Sequence, residues 1–102
     1  MDGGQFLYRI QAVRPEMLSD GPTDDEAAIL AEHSRYLEGL AGQGKVVLCG
    51  RTQNSDPSAF GIVVFVAESD AAAREIMEND PAVSKGLMHA DLFPYKIAYM
   101  GL

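Results

Sequence analysis

The pattern of apolar residues predicts an α+β fold of βαββαβ order: a ferredoxin-like, four-stranded antiparallel sheet with two helices on one face. Three observations carry this expectation. Residues 6–13 alternate as a strand does, residues 24–41 repeat apolar positions with the helical period behind a capping signal, and residues 60–67 form an apolar run broken only by Gly61. In this topology the first and third strands are central and the second and fourth are edges. The 102 residues suffice for one core and are too few for two, so residues 1–102 are read as a single domain.

The first strand puts Phe6, Tyr8, Ile10 and Ala12 on one face and Leu7, Arg9, Gln11 and Val13 on the other. The second face is mixed, which suggests that it lines something partly polar. Arg14 and Pro15 end the strand, and the turn-rich connection to residue 22 suits a plain surface loop or a rim over a pocket. Thr23 and Glu26 form a capping box, with Asp24 and Asp25 favourably placed in the first turn of the helix. Gly42 and Gly44 are expected to supply left-handed stops before the second strand, residues 45–52. Residues 53–59, with Asn54, Ser55, Asp56 and Pro57, make a loop.

The apolar run at 60–67 suits a strand covered on both faces. Ser69 then caps a helix through residue 78 that packs by Ala72, Ala73, Ile76 and Met77. Asp80 and Pro81 open a further helical turn. The last strand is expected at residues 89–100, where Pro94 removes a ladder donor and so argues for an edge or a bulge. Two helices cover only one sheet face, and a second copy of the chain is the simplest cover for the other. The expected assembly is a homodimer whose facing sheets enclose a pocket.

Fifteen acidic against eight basic residues give a net charge of −7, which repels nucleic acid and anionic bilayers, so neither is expected as a partner. No stretch approaches the roughly 18 apolar residues of a membrane span. The start, MDGGQFLYRI, lacks the basic and apolar regions of a signal peptide, and a cytoplasmic location is expected. The lone cysteine, Cys49, follows Val46, Val47 and Leu48 and reads as a buried, inert thiol. Two histidines and one cysteine without ligand spacing do not suggest a metal site. With no Gly-rich phosphate loop or G-x-S-x-G elbow either, no cofactor is expected.

His33 is the residue that points to chemistry. It stands in the apolar stripe of the long helix, sharing a face with Ile29, Leu30, Tyr36, Leu37 and Leu40, so its imidazole points inward. Such a ring is a satisfied core histidine or a general acid or base. A base needs an orienting partner. Glu26, two turns earlier, is roughly 10 Å away along the axis and too far for contact by helix geometry alone; Asp80 could approach only through the fold, and it also suits an N-cap before Pro81. Arg9 and Arg51 could bind the carboxylate or phenolate of a small substrate, or form rim salt bridges. Tyr36 could donate its hydroxyl or pack in the core. His89, beside Asp91, reads as a surface residue.

Taken together, the segments Y-R-I at residue 8, Arg14-Pro15, T-D-D-E at 23, E-H-S-R-Y-L at 32 and G-K-V-V-L-C-G-R at 44 resemble the YCII-related (YciI-like) family. The resemblance continues through F-G-I-V-V-F at 60, A-R-E-I-M-E-N-D-P-A-V at 73 and L-F-P-Y-K-I-A at 92, covering residues 6–99. It implies a dimeric α/β barrel of ferredoxin-like protomers with an active site made by a helix histidine and the aspartate of an Asp-Pro pair, here His33 and Asp80.

By looser analogy the architecture hosts lactone isomerases, small lyases and cofactor-free monooxygenases. The expected function is therefore a lyase or isomerase acting on a small aromatic-derived or carbonyl compound. His33 would move a proton, Asp80 would orient it, and Arg9, Tyr36 and Arg51 would bind substrate in a pocket between sheet and dimer partner. The alternatives are a non-catalytic small-molecule binding or accessory module and a sealed dimer core. Arg9 and Gln11 among the apolar residues of their face favour a pocket over a sealed core. A higher oligomer built from dimers is also compatible.

Overall fold

A computed structural model describes residues 4–101; residues 1–3, part of the start read for a targeting segment, lie outside them. The elements are β1 (Gly4–Ala12), α1 (Glu16–Ser19), α2 (Asp24–Gly42), β2 (Val46–Arg51), β3 (Gly61–Ala67), α3 (Asp70–Asn79), α4 (Pro81–Ser84) and β4 (Met88–Tyr95). They form the expected α+β, ferredoxin-like arrangement. The sheet is antiparallel in the order β2-β3-β1-β4, so β1 and β3 are central.

Register fixes the two faces, because directly paired residues share a side. Tyr8 stands opposite Val63 and Leu92, Phe6 opposite Phe65, and Ile10 opposite Gly61, and this side packs against the helices. Phe6, Tyr8, Ile10, Val63 and Phe65 join Ala73 and Met77 of α3 in one buried cluster. The Tyr8 and Phe65 rings meet edge to face at 5.6 Å, a favoured aromatic geometry. The other side carries Leu7, Arg9, Ile62, Val64, Val66 and Phe93 and bears no helix.

Local signals build the elements as expected. Thr23 Oγ1 accepts the Glu26 N–H while Glu26 Oε1 accepts the Thr23 N–H, the reciprocal capping box. Ser69 caps α3 by accepting from the Ala72 N–H. Only Gly44 takes the left-handed stop, at φ +76°; Gly42 is the last helical residue.

Three segments differ from expectation. The turn-rich connection contains α1, held by the buried side chain of Met17. β4 ends at Tyr95 instead of running to residue 100, because Tyr95 already pairs with Gln5 near the start of β1 and the ladder has no further partner. The Ile97 N–H is taken by the Gln5 side chain. Finally, β2 carries an irregularity between Val46 and Leu48 that puts both Val46 and Cys49 on the helix side. No helix among the described residues is long and apolar enough to cross a membrane.

Candidate active site

Asp80 is placed by the break between two helices. It ends α3 with an extended backbone, and Pro81, with no N–H to satisfy, begins α4 at the next position. As N-cap its Oδ1 accepts the Ala82 N–H at 2.9 Å. The residue is completely buried, and burying a carboxylate without partners is expensive. Two side chains from other elements supply the rest: Tyr8 of β1 donates its hydroxyl to Oδ2 at 2.8 Å, and His33 of α2 brings Nδ1 to 2.7 Å from Oδ1.

Cap and histidine thus share one oxygen while the tyrosine holds the other. Burial first, and then the charge of Asp80, pushes the Tyr8 phenol far above its ordinary range, so the hydroxyl stays a donor. As a carboxylate accepting from all three groups, Asp80 keeps the hydrogen of the neutral imidazole on Nδ1 and the lone pair on Nε2. Among the described residues Nε2 has no hydrogen-bond partner and no buried side-chain nitrogen or oxygen lacks one, so this atom is open to the space beside it.

That space is a cavity of about 520 Å³ between α1, α2 and the β2–β3 side of the sheet. His33 and Ser34 form part of its wall with Met17, Leu30, Leu37, Phe60 and Val63, and Arg51 and Cys49 line it from β2. A ligand-sized cavity at His33 argues against a sealed core. It lies on the helix side of the sheet and is lined by residues of this one chain, apart from the helix-free face on which a dimer partner is expected. Cys49 is exposed, not buried: the β2 irregularity turns it to the helix side, and there the cavity stands in place of packing.

The remaining candidates separate. Arg51 shares the cavity with His33. Arg9 does not: it projects from the helix-free face, half exposed, and pairs with Asp91 across β4 at 3.1 Å. Tyr36 lines no part of the cavity; its hydroxyl donates to the Ile76 carbonyl at 2.6 Å and ties α2 to α3. Glu26 is the partner of Arg14, at 2.9 and 2.6 Å, and has no contact with His33. His89 is exposed. Lys85, the C-cap of α4, reaches Glu32, adjacent to His33, at 2.7 Å and fastens the turn that Asp80 caps to the helix that carries His33. Among the described residues no group of three or more His, Cys, Asp or Glu side chains could hold a metal ion.

Tyr8 is the participant that sequence reasoning places only in the core. Its signal is a single hydroxyl in an otherwise apolar inward face, since a buried phenol needs an acceptor.

The fold and the buried Tyr-Asp-His array beside an apolar cavity define the class: a ferredoxin-like domain with a histidine presented to a ligand-sized space. The sequence matches the YCII-related domain over residues 7–95, and the chain belongs to the YCII-related family. Among solved structures it is similar to 5-chloro-2-hydroxyhydroquinone dehydrochlorinase (TftG) from Burkholderia phenoliruptrix AC1100, in complex with 2,5-dihydroxybenzoquinone. That match has 25% identity and a TM-score of 0.66 over 90% of this chain and 93% of the other. SnoaB, a cofactor-independent oxygenase from Streptomyces nogalater, aligns over 98% of this chain and 97% of its own at 13% identity and a TM-score of 0.47. No curated protein matches.

Proposed function

We propose that the chain is a small-molecule-converting enzyme, a lyase or isomerase that uses His33 as its general base and acid without a cofactor. One observation carries this reading: a fully buried Asp80 holds His33 Nδ1 at 2.7 Å while Nε2 is left to the cavity. A histidine serving only the core would have no reason to keep an unpartnered nitrogen on an open space. In the proposed step Nε2 takes a proton from a carbon next to a carbonyl, or from a ring hydroxyl. The released electron pair expels a leaving group in an elimination or, in an isomerisation, forms a double bond that is reprotonated elsewhere. Asp80 orients the ring and stabilises the imidazolium, Tyr8 and the Ala82 N–H hold Asp80, and apolar walls keep water from the reacting centre.

The likeness to a dehydrochlorinase supports the elimination branch. Loss of hydrogen chloride requires a base for the proton and a route for chloride, and the substrate named for TftG is a single hydroxylated ring, a size that about 520 Å³ accepts. The test is turnover of 5-chloro-2-hydroxyhydroquinone and related ring compounds, followed by halide release. His33→Ala is expected to lower kcat by about 10²- to 10⁴-fold, the usual contribution of a positioned acid–base group. Full turnover by that variant overturns the reading. Saturable binding without product makes the chain a small-molecule binding module instead.

A further inference from the structure

The charge of the cavity wall differs from that of the chain around it. Acidic residues outnumber basic ones fifteen to eight overall, yet among the described residues no aspartate or glutamate lines the His33 cavity, and Arg51 is its one permanently charged side chain. Asp80 lies behind His33 rather than in the wall, with both oxygens already held by donors. Arg51 has no carboxylate partner among the described residues, whereas Arg9 and Arg14 each have one. Register explains where it points. Arg51 pairs with Gly61 on the helix side of the sheet, and Gly61 has no side chain to fill the floor beside the guanidinium. A methyl there would come within 3.2 Å of both Ile10 Cγ1 and the Gly50 carbonyl oxygen.

We infer that the cavity takes a single-ring or similarly small compound bearing an anionic oxygen group, a carboxylate or an enolate. Arg51 holds the anion at the exposed rim, and the apolar walls hold the ring against His33. A guanidinium offers two parallel N–H donors to such a group and stays charged at all relevant pH values. An anionic ligand also meets no repulsion from the wall, which the rest of this acidic surface would impose. The inference rests on the reading of the His33 cavity as the site of conversion and adds the substrate class to it.

The experiment is calorimetric titration of the full chain with two matched pairs: salicylate against salicylamide, and the enolate of 1,3-cyclohexanedione against cyclohexanone. Alkylation of Cys49, the lone thiol, is followed in parallel because it lines the same cavity. Each anion is expected to bind more tightly than its neutral partner, to protect Cys49 and to weaken with added salt. Arg51→Gln is expected to weaken the anions about tenfold or more and leave the neutral compounds unchanged. Arg51→Lys separates the two anion types, since a point charge replaces the planar fork less well for a carboxylate than for an enolate oxygen.

Anions that bind Arg51→Gln as they bind the native chain, neutral partners that bind equally well, or no binding by either anion overturns the inference. His33→Gln distinguishes it from the catalytic reading. Anion binding retained there and lost in Arg51→Gln upholds the anion site even if no turnover is found. Turnover that needs His33 while Arg51→Gln binds normally leaves the proton-transfer reading and removes this one.

Discussion

At the scale of single residues, Asp80 is satisfied by groups from three parts of the chain, and of its two side-chain partners Tyr8 is the one that lines no part of the cavity. Tyr8→Phe keeps the ring and its edge contact with Phe65 but leaves Asp80 Oδ2 buried without a donor. The variant is expected to fold and to lose about 1–3 kcal/mol of stability at neutral pH, measured by urea denaturation. The alkaline limb gives a second signature. Burial and Asp80 raise the Tyr8 phenol in the folded state above its ordinary 10.0, so the folded chain keeps a proton that the unfolded chain releases. The contribution is complete below about pH 10 and declines as pH rises beyond it. Tyr8→Phe should therefore lose stability less steeply above that pH than the native chain does. Equal slopes would show that the hydroxyl is not held as described.

Among the elements, the start of α2 does two jobs. Glu26 closes the capping box with Thr23 and receives a two-pronged contact from Arg14, which tethers the connection carrying α1 along one wall of the cavity. Arg14, then the Thr23 N–H, hold the Glu26 carboxyl down at about 2. A lowered folded-state value means stability that is complete above the usual 4.5 and is lost as pH falls from there toward about 2. Glu26→Gln should flatten the acid limb of a thermal-unfolding series across that window; an unchanged limb would show that the contact contributes nothing. The capping box is legible in sequence because its code spans four residues, and strand order is legible because residues 60–67 read as doubly covered and Pro94 as an edge. What is illegible depends on register or tertiary burial. α1 is a single turn fixed by Met17, with no periodicity to announce it. One irregularity in β2 reverses the side on which Cys49 stands. The mixed face of β1 reads as partly polar, but only register shows that its Arg9 stands beside Asp91. His33 is visible as an inward imidazole, but its pairing with Asp80, 47 positions away, follows only from the resemblance or the fold.

For the molecule as a whole, the helices bury one side of the sheet and leave the other with a surface that a lone chain has little reason to expose. Leu48, Val66, Phe93 and Tyr95 are 37–52% exposed there, around Leu7, Ile62 and Val64. A patch of this kind marks an interaction surface. Its occupant in our reading is a second copy of the chain. Arg9 and Asp91 neutralise each other across the strands in the middle of the face, so two identical faces can meet about a two-fold axis without opposing like charges. Phe93→Lys adds an unpaired cation to both sides of that contact and, by symmetry, acts twice. Sedimentation equilibrium should find the native chain dimeric at micromolar concentration and Phe93→Lys monomeric, with near-native thermal stability of the protomer because Phe93 lies outside the buried cluster. The His33 cavity opens on the opposite side of the sheet, so the monomeric variant should keep its affinity for anionic ring compounds. Loss of both properties together would place part of the site across the dimer interface, and a native chain that stays monomeric would leave the apolar face to a different partner.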